Sequence, residues 1–327
     1  MRPSEGKLAG MPTADAHDIA ATHRLSHRNR SRSLLKDHPE LRALTGHYPA
    51  TSAFIAAIAT LQLAIAFALK DQPWWLVIVC AYFVGAVIAL GIWTLVHECT
   101  HDLVFRTSVA NRWMGIIAGL PLIIPATTGF RTCHLLHHRH QGDAVLDGDI
   151  PSAWEMRLVG KCPIKKAVWL ACGALMQALR PLRMKDVTIV DRWFVMNFAV
   201  QTVFNIAVVM LGGWQALVYC LLANIFALGL HPLGARWVQE HFELTPGQDT
   251  YSYYGPTNRL VFNAGYHVEH HDLMRVAWVR LPSIRRIAPE YYADLAHYQS
   301  WTRLLLRFLS DRRIKLDRRM IVEAADQ

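Results

Sequence analysis

The sequence predicts an all-α, polytopic membrane protein with four transmembrane helices and a cytoplasmic helical cap, and three observations carry that prediction. Apolar residues make up 53% of the 327-residue chain, and mean hydropathy is positive. They gather into residues 52–69, 74–96, 193–211 and 214–234, nearly uncharged stretches that each approach the ~20 residues a spanning helix needs. A soluble core rarely holds four of these. Basic residues are segregated in turn. Of 34 Lys and Arg, eight precede the first stretch, twelve lie between His97 and Arg192, and thirteen follow residue 234; Lys70 alone falls in a loop joining paired stretches. Positive residues stay cytoplasmic, so both termini and the central segment are expected on that side. Finally, eight histidines stand in three short clusters, all on the same predicted face.

The elements follow in chain order. Residues 1–32 are polar and read as a disordered amino-terminal segment, without the apolar core of a secretory signal or the glycine that myristoylation needs, since Arg2 stands there. His17, His23, His27, His38 and His47 are scattered among basic residues and read as solvated. Residues 33–310 form one membrane domain. It opens with a short amphipathic surface helix over residues 33–41, interrupted at Pro39. The first two spans are joined by residues 70–73 and the last two by Gly212-Gly213, so each pair forms a tight hairpin. Trp74, Trp75, Trp93, Trp193 and Trp214 sit at or near span ends, where indoles anchor to headgroups. A fifth apolar stretch, residues 113–128, is shorter and carries Pro121 and Pro125; it is expected to be interfacial or half-inserted. Residues 311–327 form a basic and then acidic tail. The six cysteines form no CxxC pair and read as reduced thiols, with Cys99 and Cys133 beside histidine clusters. The net charge of +9 fits a face lying on anionic lipid headgroups and calls for no nucleic acid.

The histidine clusters carry the chemistry. HECTH supplies His97 and His101; HLLHH supplies His134, His137 and His138; HVEHH supplies His267, His270 and His271. Spacings of i, i+3 and i+4 put each set on one helix face. Eight imidazoles exceed the three protein ligands of a catalytic zinc ion, and imidazole is a good iron ligand. The set therefore reads as a di-iron centre of an oxygen-using membrane oxidase. Neutral donors suit such a place because none buries a negative charge. His231, where the fourth span ends, is a ninth candidate. His241 and Asn263 are further ones, Asn263 lying four residues before His267. Glu98, Asp102, Glu269 and Asp272 are expected to orient ligand rings from behind, with Glu240 as another carboxylate nearby. HECTH also fits the HExxH of a zinc peptidase, but that site would leave two histidine triads without a role.

Longer strings resemble a known family. The boxes HxxxH, HxxHH and HxxHH are similar to those of the membrane fatty acid desaturase and hydroxylase superfamily. Asn111-Arg112-Trp113, Asp149-Ile150-Pro151, Gly229-Leu230-His231-Pro232, DTYSYYGP (residues 249–256), FNAGYHVEHHD (262–272), PEYYADLAHYQSW (289–301) and LLKDHPELRAL (34–44) resemble the sphingolipid Δ4-desaturases over residues 33–305. The resemblance implies an enzyme that uses oxygen and two iron ions to introduce a trans C4–C5 double bond into the sphingoid base of a dihydroceramide-like lipid. The alternatives are C4-hydroxylation of the same chain or desaturation of another acyl lipid. Three positions depart from the family's pattern: Leu273-Met274-Arg275 after the third box, Asp102 after the first, and Arg236.

No fused cytochrome b5 element, iron–sulfur cysteine pattern or dinucleotide fingerprint is present. A separate electron donor, a cytochrome b5 or a ferredoxin with its reductase, is expected. The topology suits the endoplasmic reticulum of a eukaryote or the inner membrane of a bacterium.

Overall fold

A computed structural model of the chain describes residues 27, 29–179, 184 and 187–319. Among them the structure is helical, with isolated bridges in place of strands. Three helices are long and apolar enough to cross a membrane: α1 (Thr51–Ala68), α2 (Trp74–Thr100), and a third running Arg192–His241. The first part of that third run is α8 (Arg192–Leu228). A bent pair, Ser108–Leu122 with Thr127–His140, could make a further, broken crossing, its halves turned by 116°. This pair corresponds to the stretch expected to be half-inserted.

Gly213 explains how α8 accommodates two predicted spans. Its φ of 72° and ψ of 177° interrupt the helix, a conformation glycine adopts at little cost. Asn205 donates to the Ile123 carbonyl at 3.0 Å and Asn224 to the Leu122 carbonyl at 3.3 Å. Nineteen residues of straight helix would hold these amides about 28 Å apart, so the chain doubles back between them. The two hairpin loops also meet: Gln215 accepts from the Asp71 N–H at 2.6 Å and donates to the Gln72 carbonyl at 2.7 Å. Both turns thus lie at the same end of the bundle.

α2 is the central element, packed against α1, α8 and α3 (Ser108–Gly119). Leu90, Ile92, Leu95 and Val96 are buried in a core shared with Ala223, Ala227 and Leu228 of α8. The outer face of α8 shows the opposite pattern, with Val203, Ile206, Met210 and Leu211 exposed. An apolar outer face of this kind is the mark of a helix meeting lipid. At 27 residues, α2 is about 40 Å long, more than the ~30 Å hydrocarbon core. Its last turns, carrying His97 and Thr100, extend past that thickness.

The bent pair reverses at Leu120–Ala126, where Ile123 takes a left-handed φ of 69°. Carbonyls freed by such a reversal need donors. Amides on α8 supply them: Gln201 donates to the Leu120 carbonyl at 2.9 Å, beside the Asn205 and Asn224 bonds above, and Asn197 donates to Thr127 Oγ1 at 3.1 Å. This ladder fixes the start of α4 (Thr127–His140), the helix that bears the second box.

Beyond the bundle lie α5 (Ala153–Val159), α6 (Pro163–Ala171), α7 (Gly173–Leu179), α9 (Arg236–His241), α10 (His267–Asp272) and α11 (Trp301–Ser310). α5 starts from a reciprocal capping box between Ser152 and Glu155. α11 buries Trp301, Leu304, Leu305 and Phe308 along one stripe. Lys166, fully buried, donates to the Phe308 and Asp311 carbonyls at 2.8 Å each and ties α6 to the end of α11. The expected disorder of residues 1–32 falls largely outside the described residues, but His27 and residues 29–32 are in place and lead into a helix ending at residue 37. The acidic end of the tail, residues 320–327, also lies outside them.

Candidate metal centre

The three boxes, far apart in sequence, converge at one end of the bundle in two adjoining groups. In the first, single nitrogens of His97, His101, His134, His138 and His270 lie within 4.8 Å of one another; in the second, those of His137, His241 and His271 do. The groups adjoin through His138 and His271, whose ring centroids are 4.4 Å apart.

Contacts within the groups test whether a metal fits. His97 Nε2 is 3.1 Å from His270 Nε2, which is 3.0 Å from His138 Nε2; that atom is 3.0 Å from His134 Nε2, itself 3.0 Å from His101 Nε2. An imidazole nitrogen offers one N–H or one in-plane lone pair, so it completes one hydrogen bond. A row of five nitrogens can therefore hold at most two hydrogen bonds among its four contacts. The remaining lone pairs face one another. Two ligands about 2.1 Å from a common ion and at right angles stand about 3.0 Å apart, which is the spacing found. The second group repeats the pattern, with His241 Nε2 2.9 Å from His137 Nε2 and 3.0 Å from His267 Nε2. His271 Nε2 is buried with no hydrogen-bond partner among the described residues, an orphan that burial penalises and a cation would satisfy. The donor sets fit two metal ions.

The electrostatics favour neutral ligands. His267, His270 and His271 are held well below the ordinary histidine pKa, chiefly because burial disfavours the charged ring and secondly because neighbouring imidazoles repel a second charge. They keep their lone pairs for a metal across the physiological range.

Two side chains outside the boxes position them. Arg131, one turn before His134, donates to the Cys99 carbonyl at 2.8 Å and the Thr100 carbonyl at 2.6 Å. Its other nitrogen reaches Asp102 Oδ2 at 2.8 Å and Ser108 Oγ at 3.1 Å. It thereby caps the C-terminal end of α2, where a cation is favoured, and locks the first box to the second. Asp147 accepts from His137 Nδ1 at 3.0 Å, with Asp149 at 3.8 Å. A carboxylate there fixes the tautomer that leaves Nε2 free for a metal.

Of the carboxylates expected behind the rings, Glu98 stands beside one and the others are held by partners outside the boxes. Glu98 accepts from the Trp278 N–H at 3.0 Å and stands 3.8 Å from His97 Nδ1. Asp102 binds Arg131. Glu269 accepts from Ser252 Oγ at 2.5 Å and Tyr254 OH at 2.6 Å, its pKa pushed up to about 7 by burial and held from rising further by these bonds. Asp272 accepts from His27, Arg30 and Tyr292. These acids fasten loops to the boxes; the steering of a ring falls to Asp147, whose sequence context is a turn rather than a box.

His231 belongs to neither group among the described residues. Its Nδ1 accepts from the Leu233 N–H at 3.1 Å and its ring packs 4.4 Å from Tyr82, so it caps the turn that ends α8. Asn263 adopts φ 60° and donates to the Trp278 carbonyl at 3.1 Å. His241, ranked below His231 on sequence, instead sits at the heart of the second group. It is the lone histidine on its six-residue helix, so no spacing marks it.

Comparison with known proteins accords with this geometry. The family model described as fatty acid desaturase matches residues 73–303. A rice protein (Oryza sativa subsp. japonica) named sphingolipid delta(4)-desaturase DES1-like is 38% identical over 88% of this chain and 87% of its own length. The Drosophila melanogaster sphingolipid delta(4)-desaturase DES1 is 38% identical over 87% of this chain and 89% of its own. A rat (Rattus norvegicus) protein named sphingolipid delta(4)-desaturase/C4-monooxygenase DES2 is 35% identical over 86% and 88%. The chain is therefore an enzyme of the fatty acid desaturase family, standing within it beside the sphingolipid delta(4)-desaturases.

Proposed function

We propose that the chain is a membrane desaturase that introduces a trans C4–C5 double bond into the sphingoid base of a dihydroceramide-like lipid. The substrate loses one hydrogen from each of two adjacent carbons, and these two hydrogens, with dioxygen, two electrons and two protons, end as two waters. The observation that carries the reading is the pairing of two histidine groups at one end of an apolar helical bundle, in a chain this similar to proteins bearing that name.

In this reading His97, His101, His134, His138 and His270 hold one iron, and His137, His241, His267 and His271 the other. Bound iron would supply the redox chemistry by which dioxygen attacks an unactivated C–H bond. The protein supplies the rest. Low imidazole basicity keeps His267, His270 and His271 neutral, Asp147 orients His137, and Arg131 holds two boxes in register. Four spans, formed by α1, α2 and the two arms of α8, place the cap and both termini in the cytoplasm, because basic residues flank the histidine end. The host membrane is the endoplasmic reticulum or a bacterial inner membrane, and electrons arrive from a separate cytochrome b5 or ferredoxin. Hydroxylation at C4 is the second reading, favoured by the double name of the rat relative.

Expression in cells that lack the activity, fed dihydroceramide deuterated at C4 and C5, tests the assignment. A 4,5-trans product missing one deuterium from each carbon is expected. A 4-hydroxy product would transfer the assignment to hydroxylase. Unchanged lipid from protein holding about two irons per chain would exclude both.

A further inference from the structure

The geometry points to the amino-terminal segment as a working part of the metal centre: His27 and Arg30 clamp the buried Asp272 carboxylate and so position the third histidine box. The inference rests on the two-metal reading above and assigns a role to residues that reading leaves unused.

The third box needs outside support. α10, His267–Asp272, is six residues long, far below the ~12–15 residues at which an isolated helix becomes even marginal. Yet it supplies three of the converging imidazoles. Two buried carboxylates one turn apart, Glu269 and Asp272, anchor it to the surrounding chain. Glu269 is held by Ser252 and Tyr254, which lie on the same carboxy-terminal stretch. Asp272 is held from the opposite end of the sequence.

The Asp272 side chain is wholly buried. His27 Nδ1 reaches its Oδ1 at 2.7 Å, Arg30 Nε lies 3.1 Å from Oδ2, and Tyr292 OH donates to Oδ2 at 3.1 Å. His27 and Arg30 are themselves mostly covered, at 15% and 18% exposure. A buried carboxylate left without its cation is strongly unfavourable, so these contacts decide whether the residue next to His271 stays in place. His27 reaches further. With Nδ1 directed at Asp272, its Nε2 lies 3.2 Å from Thr250 Oγ1, and Thr250 Oγ1 lies 3.5 Å from His241 Nδ1. The ring centroid of His27 is 5.3 Å from that of His271. His27 thus stands beside one second-group histidine, His271, and reaches a second on another helix, His241, through Thr250. The sequence placed His27 among solvated histidines because its partners lie more than 200 residues away.

Metal binding by the purified full chain, probed with cobalt(II) alone, tests the clamp through stoichiometry, affinity and the visible spectrum, with the thermal midpoint measured alongside. His27→Ala with Arg30→Ala is expected to weaken binding about tenfold, the scale of a lost outer partner, and to alter the spectrum of one of two ions. His27→Asn, which keeps a donor toward Asp272, should recover most of the loss. In an Asp272→Asn background the same double substitution should cost less than twofold further, because the pair acts through that carboxylate. Should the double variant fail to fold, His27→Ala alone carries the same readouts, since Arg30 still faces Asp272. Unchanged affinity and spectrum, or effects that simply add to those of Asp272→Asn, would overturn the clamp. Wild-type protein that binds no metal would overturn the underlying reading and the clamp with it.

Discussion

The two histidine groups differ in how they are built, and the difference separates ligands announced by sequence from ligands delivered by folding. The first draws its five imidazoles entirely from the boxes, two from the end of α2, two from α4 and one from α10. Its scaffold is rigid: α2 is the central helix, and Arg131 joins it to α4 through backbone carbonyls. The second is assembled from short pieces. His137 comes from α4, His267 and His271 from six-residue α10, and His241 from six-residue α9. Its stability is borrowed from Asp147, from Gln141, whose amide lies 3.1 Å from His241 Nδ1, and from the amino-terminal segment. The lesson is that one group is positioned by helices and the other by hydrogen bonds around it.

Substitutions can break or sharpen that contrast. The largest effect is expected from His134→Ala, His138→Ala or His270→Ala, since each nitrogen touches two others in the first group. Product formation should fall by more than the ~100-fold typical of outer partners, as mass spectrometry of the lipid product would record. Next, His241→Ala should lower bound iron from about two to about one per chain; two irons retained would remove His241 from the second group and leave the contrast without its key member. Asp147→Asn should weaken metal binding about 10- to 100-fold at the second group only, seen as biphasic chelator release. Arg131→Met should act on both groups together and lower stability by about 2 kcal/mol through its lost charged hydrogen bonds, read from chemical denaturation. The smallest effect belongs to His231→Gln: iron content and turnover within twofold of wild type, with at most about 1 kcal/mol lost from its cap. A loss of one iron in that variant would reverse the ranking of His231 and His241.

Much of this was legible in the chain because it depends on local pattern. Runs of apolar residues and the bias of Lys and Arg yield the helical bundle, its hairpins and the shared face of the boxes. Even the bend between the paired helices Ser108–Leu122 and Thr127–His140 shows itself through Pro121 and Pro125. The box spacing predicts convergence, and seven of the eight box histidines fall in the two groups, with His267 Nε2 3.0 Å from His241 Nε2. What local pattern misses are contacts made across the fold. His241 is solitary on its helix, Arg131 resembles any other basic residue, and the carboxylate that steers a ring is Asp147 rather than an acid inside a box. Glu98, Asp102, Glu269 and Asp272 sit at inviting positions in sequence, but a side chain on the far side of a box helix faces the supporting loops. His231 looked favourable because an imidazole at a span end is costly without a role; its role is to accept a backbone N–H.

The Arg131 bridge has a consequence for how a long lipid chain gains access. One guanidinium joins the last carbonyls of α2 to α4, so these two helices cannot part without breaking both of those bonds together with its contact to Asp102. Entry between those two helices would break that bridge, whereas α9, α10 and the segment at His27 and Arg30 meet through side-chain contacts.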